Sequence, residues 1–367
     1  MDPRIEDHAE VLVDWSARVD EGDDVVLRVG PDAHELAVAV AEAVGERGAN
    51  LVTVYDSNEV DRAYALAHES DFEENPAYEL GLYENADVVL SVGGSRNTSE
   101  GSDVPAETRS AKTKARNGIR EARLSTDWVS TVHPTRSLAQ QANMSFEEYR
   151  EFAYDAILRD WEALADQMAN VKAILDDGSE VHLVKEDTDL TMSIENRTAV
   201  NSAASVAYDS HNLPSGEVFT APHATEGEVF FDVPMTIRGE RVQDVHLTFE
   251  DGEAVDYSAG QNEQVVGEIL DTDEGARRLG ELGIGMNRGI DRFTDSILFD
   301  EKMGDTVHMA LGRAYDSNYP EGHEDEANES AVHVDMITDV SEDSFMEVDG
   351  EVVQRNGTFR WEDGFEE

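Results

Sequence analysis

Along the first 130 residues, apolar positions switch repeatedly between a helical period and short strand-like runs. Ala9, Val11, Leu12, Trp15 and Val19 recur at helical spacing over 7–19. Short apolar strands follow over 23–29, 49–55 and 86–92, separated by helical patterns over 32–45 and 59–68. Strand, helix, strand, helix, strand with short turns predicts a parallel sheet covered by helices. A further helix over 104–122 and a strand over 128–134 extend the series. Ser145 with Glu148 at the N3 position forms a capping-box signature. It opens one long helix to about residue 176, with Tyr149, Phe152, Ile157, Trp161, Leu164 and Met168 on one face.

After Asp176-Asp177-Gly178 the texture changes. Alternating segments over 180–184, 189–194, 203–208, 217–220, 228–235 and 244–249 predict a largely antiparallel sheet. A helix is expected over 263–282, then strands over 306–311 and 331–337. The fold class expected is α/β: an N-terminal parallel-sheet α/β domain over 1–176, acting as a scaffold, then a mixed, largely antiparallel α+β domain over 177–367 that binds metal.

Charge changes the picture. The 367 residues include 81 Asp and Glu against 28 Lys and Arg, five of them lysine, for a net charge of -53. The acids are spread through every element and do not form a tail, so a halophile-like protein suited to a salt-rich cytoplasm is expected, because salt screens such repulsion. Nucleic acid is disfavoured as a partner, since no basic run exceeds two residues. A membrane is disfavoured too: no long stretch is both apolar and uncharged, and the charged opening is unlike a signal peptide, so a cytoplasmic location is expected. Cysteine is absent, which leaves Asp, Glu, His, Tyr and backbone oxygen as the metal donors. A dinucleotide site lacks its fingerprint, because Gly30-Pro31-Asp32-Ala33-His34 stands where Gly-x-Gly-x-x-Gly would be.

The candidate chemistry is concentrated near the C-terminus. His308 and His333 sit in short strand-like runs, and Asp335 shares a strand face with His333. Imidazole and carboxylate on rigid strands suit a borderline divalent ion such as zinc, manganese or cobalt. No Gly-x-Ser-x-Gly elbow and no His-Glu-x-x-His helix is present, which removes the serine-hydrolase and single-zinc-protease readings. Arg197, Asp189 and His223 are lesser candidates, with an ion pair the simpler role for Arg197.

Three segments carry a resemblance: Asn212-Leu213-Pro214-Ser215-Gly216-Glu217-Val218, Leu279-Gly280-Glu281-Leu282-Gly283-Ile284-Gly285 and Asp300-Glu301-Lys302-Met303-Gly304-Asp305-Thr306-Val307-His308. With His333-Val334-Asp335 they resemble, in order, the motifs of the aminopeptidase T family of metallo-aminopeptidases (the thermophilic metalloprotease family). The resemblance implies Glu217, Glu281, His308, His333 and Asp335 as metal ligands, and Tyr315 as a ligand or a hydrogen-bond donor. It implies two divalent ions (zinc, cobalt or magnesium), a substrate that is a peptide with a free N-terminus, and a homodimer. Two departures stand out: Val334 replaces a tryptophan and Arg288 a proline. Glu301 is our candidate proton shuttle, with a salt bridge to Lys302 or Arg288 as its plain alternative. The expected function is a metal-dependent aminopeptidase hydrolysing the N-terminal peptide bond through a two-metal-activated water. A hydrolase of small non-peptide amides and a non-catalytic metal- or peptide-binding protein are the alternatives.

Overall fold

The computed structural model describes residues 2–68 and 71–365. Its contacts divide the chain into two compact units, Met1–Arg159 with Ala204–Pro214, and Asp160–Ala203 with Ser215–Glu367. The sequence boundary near 176 differs from this division by the helix Trp161–Asp177, and the 204–214 segment returns to the first unit.

In the first unit, five parallel strands run in the order Asn50–Tyr55, Asp24–Val29, Val88–Gly93, Asp127–Val132, Asn212–Leu213, with Val88–Gly93 at the centre. Val25, Val26, Leu27, Val89, Leu90 and Val129 are buried, the near-continuous apolar content expected of strands covered on both faces. The long helix expected from Ser145 is two helices, Phe146–Ile157 and Trp161–Asp177. The second has its own N-cap, Asp160, whose carboxylate accepts from Ala163 N at 3.1 Å. The apolar stripe runs on across the break, which hides the break from the pattern. Likewise the helix expected over 104–122 is two, Ala106–Ala115 and Asn117–Leu124.

The second unit holds a nine-stranded sheet and a five-stranded sheet, and the smaller one matters for chemistry. Its order is His333–Asp339, Thr306–Gly312, Leu279–Gly285, Glu217–Thr220, Val200–Ser202, with every neighbour antiparallel. The helix expected over 263–282 is corrected here: it covers only Glu263–Leu270, and Leu279–Gly285 is a strand. All seven strand residues are buried, so no alternation marks it. Gly280, Gly283 and Gly285 each weaken a helix by about 1 kcal/mol relative to alanine, and the flanking strands supply the pairing instead. The strand expected over 203–208 is a turn, with Ala204 and Asp209 at φ of 55° each. No described helix is long and apolar enough to cross a membrane.

Candidate metal centre

Cross-strand register gathers the candidate ligands on one face of the five-stranded sheet. Asp335 stands opposite Ala310, and Ala310 opposite Glu281. In the next row Ile337 faces His308, and His308 faces Gly283; beyond that, Gly285 faces Glu217. Directly opposed residues in antiparallel strands share a face, so the large polar ligands alternate with alanine and glycine. The small residues make a floor on which imidazole and carboxylate groups can lean together. At Gly283 a Cβ would overlap the His308 imidazole.

Two groups of donor atoms result, Glu217 with Glu281 and His308, and Glu281 with His333 and Asp335, each within 4.8 Å. Glu281 belongs to both. Its Oε1 lies 3.0 Å from His308 Nε2 and its Oε2 lies 3.5 Å from His333 Nε2. His308 Nε2 is 3.5 Å from Glu217 Oε2, and His333 Nε2 is 3.4 Å from Asp335 Oδ1. Glu217, Glu281 and His308 are buried, while His333 and Asp335 are partly exposed. A model described as thermophilic metalloprotease (M29) matches residues 1–359. The chain belongs to the M29 metalloprotease family.

Other M29 features are consistent with that assignment. Aminopeptidase T of Thermus aquaticus is 30% identical over 385 residues, covering 93% of each chain. The structure of wild-type AmpT from Thermus thermophilus matches with a TM-score of 0.84 at 26% identity, over 98% of this chain and 99% of that one. A 2,5-dihydroxypyridine dioxygenase from Pseudomonas putida KT2440 gives a TM-score of 0.58 at 15% identity, over 98% of this chain and 97% of that one, and shares the fold alone. The scaffold therefore does not specify the chemistry; the donors do.

The donor set fits two divalent ions. Glu217 Oε2 and Asp335 Oδ1, one in each group of donors, are buried without a hydrogen-bond partner, a costly condition that a cation beside each would relieve. His333 Nδ1 donates to Arg313 O at 2.7 Å, which turns Nε2 toward the carboxylates, the usual support for a ligating imidazole. Nitrogen and carboxylate oxygen together suit zinc, cobalt or a harder divalent ion.

Burial disfavours the His333 imidazolium, yet Asp335 and Glu281 outweigh it and raise its pKa to about 9. His308 is raised in the same way, against burial, by Glu281 and Glu217. Burial raises Glu281, while the neighbouring histidine opposes the rise. Protons thus occupy the positions that cations would take. A ligating imidazole must be neutral, so loading metal at about pH 7 should release the His333 proton, and above about pH 9 it should not. Calorimetric titration in buffers of different ionisation enthalpy checks this; release that is independent of pH would contradict the assignment.

Tyr315, 37% exposed, lies at the edge with its hydroxyl 3.4 Å from His333 Nε2 and its ring 4.9 Å from the imidazole. Burial, then Glu281 and Asp335, push its pKa up, so the hydroxyl keeps its proton and can donate. Glu301 pairs with Lys302 Nζ, and that ammonium also lies 3.3 Å from Glu217 Oε1. Lys302 has no exposed surface, so it is part of the site and not a rim charge. Sequence reasoning treated it only as a partner for Glu301. Asn287 was also missed: fully buried, it donates to Ser215 O at 2.8 Å and anchors the loop that presents Glu217. Arg288 is drawn away by Asp305 and Glu362. Arg197 pairs with Glu326 at 3.4 Å and stacks over Tyr319, while Asp189 binds His182.

Gly283→Ala is the sparing test of the floor. One methyl should displace the His308 ring and lower kcat/KM by roughly 100-fold, because a misplacement of about 1 Å has that cost. Far-UV circular dichroism should stay unchanged. Full activity in Gly283→Ala would show that the ring position is unimportant.

Proposed function

We propose that this metal-dependent aminopeptidase releases the N-terminal residue of short peptides at the five-stranded sheet, with Glu217, Glu281 and His308 holding one ion and Glu281, His333 and Asp335 the other. The observation that carries the reading is the convergence of these five side chains around a shared carboxylate, in an M29 chain. Divalent ions held by these five side chains would supply an acidified water as nucleophile and polarise the scissile carbonyl.

The remaining steps belong to the chain. Glu301 accepts the proton from the attacking water and passes it to the leaving amine, and Lys302 fixes the carboxylate for that transfer. Tyr315 donates its hydroxyl hydrogen bond to the carbonyl oxygen as it gains charge. The floor of alanine and glycine holds the imidazoles close to the sheet, so Glu281 can serve both ions.

Assay against N-terminal amino acid amides, with and without chelator, tests the assignment. Chelator should abolish turnover, and blocking the amino group should too. Equal activity on blocked and free N-termini would overturn it.

A cytoplasmic homodimer adapted to high salt completes the proposal. The dimer follows from the family resemblance, and a light-scattering mass equal to one chain would refute it. The cytoplasmic placement carries over the expectation from sequence, where no long stretch is both apolar and uncharged. The salt adaptation rests on the net charge of -53. Surface carboxylates sense one another over a Debye length of about 10 Å at 0.1 M salt but only about 3 Å at 1 M. Melting temperature should therefore climb from roughly 0.1 M to 3 M KCl. A flat profile would leave the salt adaptation without support.

A further inference from the structure

His333 and Asp335 also form part of the wall of a cavity of about 320 Å³ within the second unit. Much of the remaining wall is apolar: Met235, Ile237, Phe293, Ile297, Val334 and Ile337. The strand explains the continuity. His333, Asp335 and Ile337 lie two residues apart on one face, so the face that offers ligands at one end offers an apolar surface at the next step. Met235 and Ile237 flank the exposed Thr236 and turn their buried faces inward. Ile297 is 51% exposed at the mouth. In a chain with 81 acidic residues, an exposed isoleucine leading to a mostly buried apolar wall beside a metal cluster is informative.

Among the charged groups of the wall, Asp300 is already committed. Its Oδ1 accepts from Thr294 N at 2.8 Å and from the Thr294 hydroxyl at 2.7 Å, and its Oδ2 accepts from Ser296 N at 2.9 Å. Arg238 points to Glu268 at 3.5 Å, both of them well exposed. Asp295 and the candidate ligand Asp335 are the other acids of the wall. A space of this size, whose wall combines apolar side chains with polar groups, has the character of a side-chain subsite.

We propose that this cavity receives the side chain of the substrate's N-terminal residue and selects a large apolar one, of the leucine, methionine or phenylalanine kind. The inference rests on the aminopeptidase reading above. In such a substrate the first side chain leaves from the carbon next to the scissile carbonyl. A carbonyl at the cluster therefore places that side chain within reach of the wall that His333 and Asp335 share with the cavity. Ile297 and Ile337 close on the apolar chain, and burial there replaces contact with water.

The test compares kcat/KM for leucine, methionine, phenylalanine, glycine, lysine and aspartate amides in the wild type and in Ile297→Asp. A single methylene in an apolar pocket discriminates by about 10–200-fold, so leucine amide should exceed glycine amide by on the order of 100-fold. Ile297→Asp, an exposed change, should cut kcat/KM for leucine amide by roughly 10-fold or more beyond any effect on glycine amide. Equal kcat/KM for leucine and glycine amides, or an equal effect of the substitution on both, overturns the subsite while the aminopeptidase reading stands. A preference for lysine amide overturns the apolar selection in favour of Asp295. Absence of cleavage of every amide overturns the aminopeptidase reading and the subsite with it.

Discussion

Exchanging Glu281 for glutamine is expected to disable both halves of the metal site at once. Bound metal should fall below one ion per chain, and kcat/KM should drop by on the order of 10⁴-fold, about 5.4 kcal/mol. The reason is geometric. Each carboxylate oxygen of Glu281 faces a different imidazole, at 3.0 Å and 3.5 Å, so one side chain serves both groups of donors. An amide keeps the shape but replaces one oxygen by a donor and removes the charge that holds a divalent cation. Stability should behave in the opposite way. Burial already disfavours the ionised form of Glu281, so the neutral amide should leave the metal-free melting temperature unchanged or raise it. A variant that unfolds and loses metal together would place Glu281 in the structure and not in the chemistry.

Lys302→Met should lower stability as well as disturb the Glu301 proton transfer. The ammonium has no exposed surface and lies between Glu301 and Glu217, the second at 3.3 Å. Removing it leaves two carboxylates facing one another with little water, a loss of about 3–5 kcal/mol for a broken buried pair. Divalent metal should recover part of that loss, because it supplies positive charge beside Glu217 and binds only the folded state. Denaturant unfolding with and without metal reads both quantities. An unchanged midpoint without metal would mean that water or another cation already screens the pair.

The parallel sheet of the first unit is legible in its first four strands because each is a short, largely apolar run followed by a helix, a pattern that local chemistry writes directly. The His333-x-Asp335 pair is legible for a similar reason: alternation on a half-exposed strand declares a shared face. Glu281 was reached through its motif while its element was misread. A strand buried on both faces loses the alternation that would distinguish it from the helix before it. Its glycines were the available signal, since Glu281, Gly283 and Gly285 step along one face in twos. Lys302 could not be weighed from sequence, because an ion pair with its neighbour looks the same at a rim or in a core, and only packing separates them. The return of 204–214 to the first unit leaves no local mark at all.

We propose that two ions on one sheet run the reaction. Stripping the protein with chelator and restoring zinc or cobalt in measured steps, with activity followed against metal content, tests it most directly. Activity should be absent in the stripped protein and should reach its plateau at two ions per chain, with Glu281→Gln silent throughout. Full turnover in protein verified to be metal-free, or a plateau at a single ion with no further gain, would contradict it.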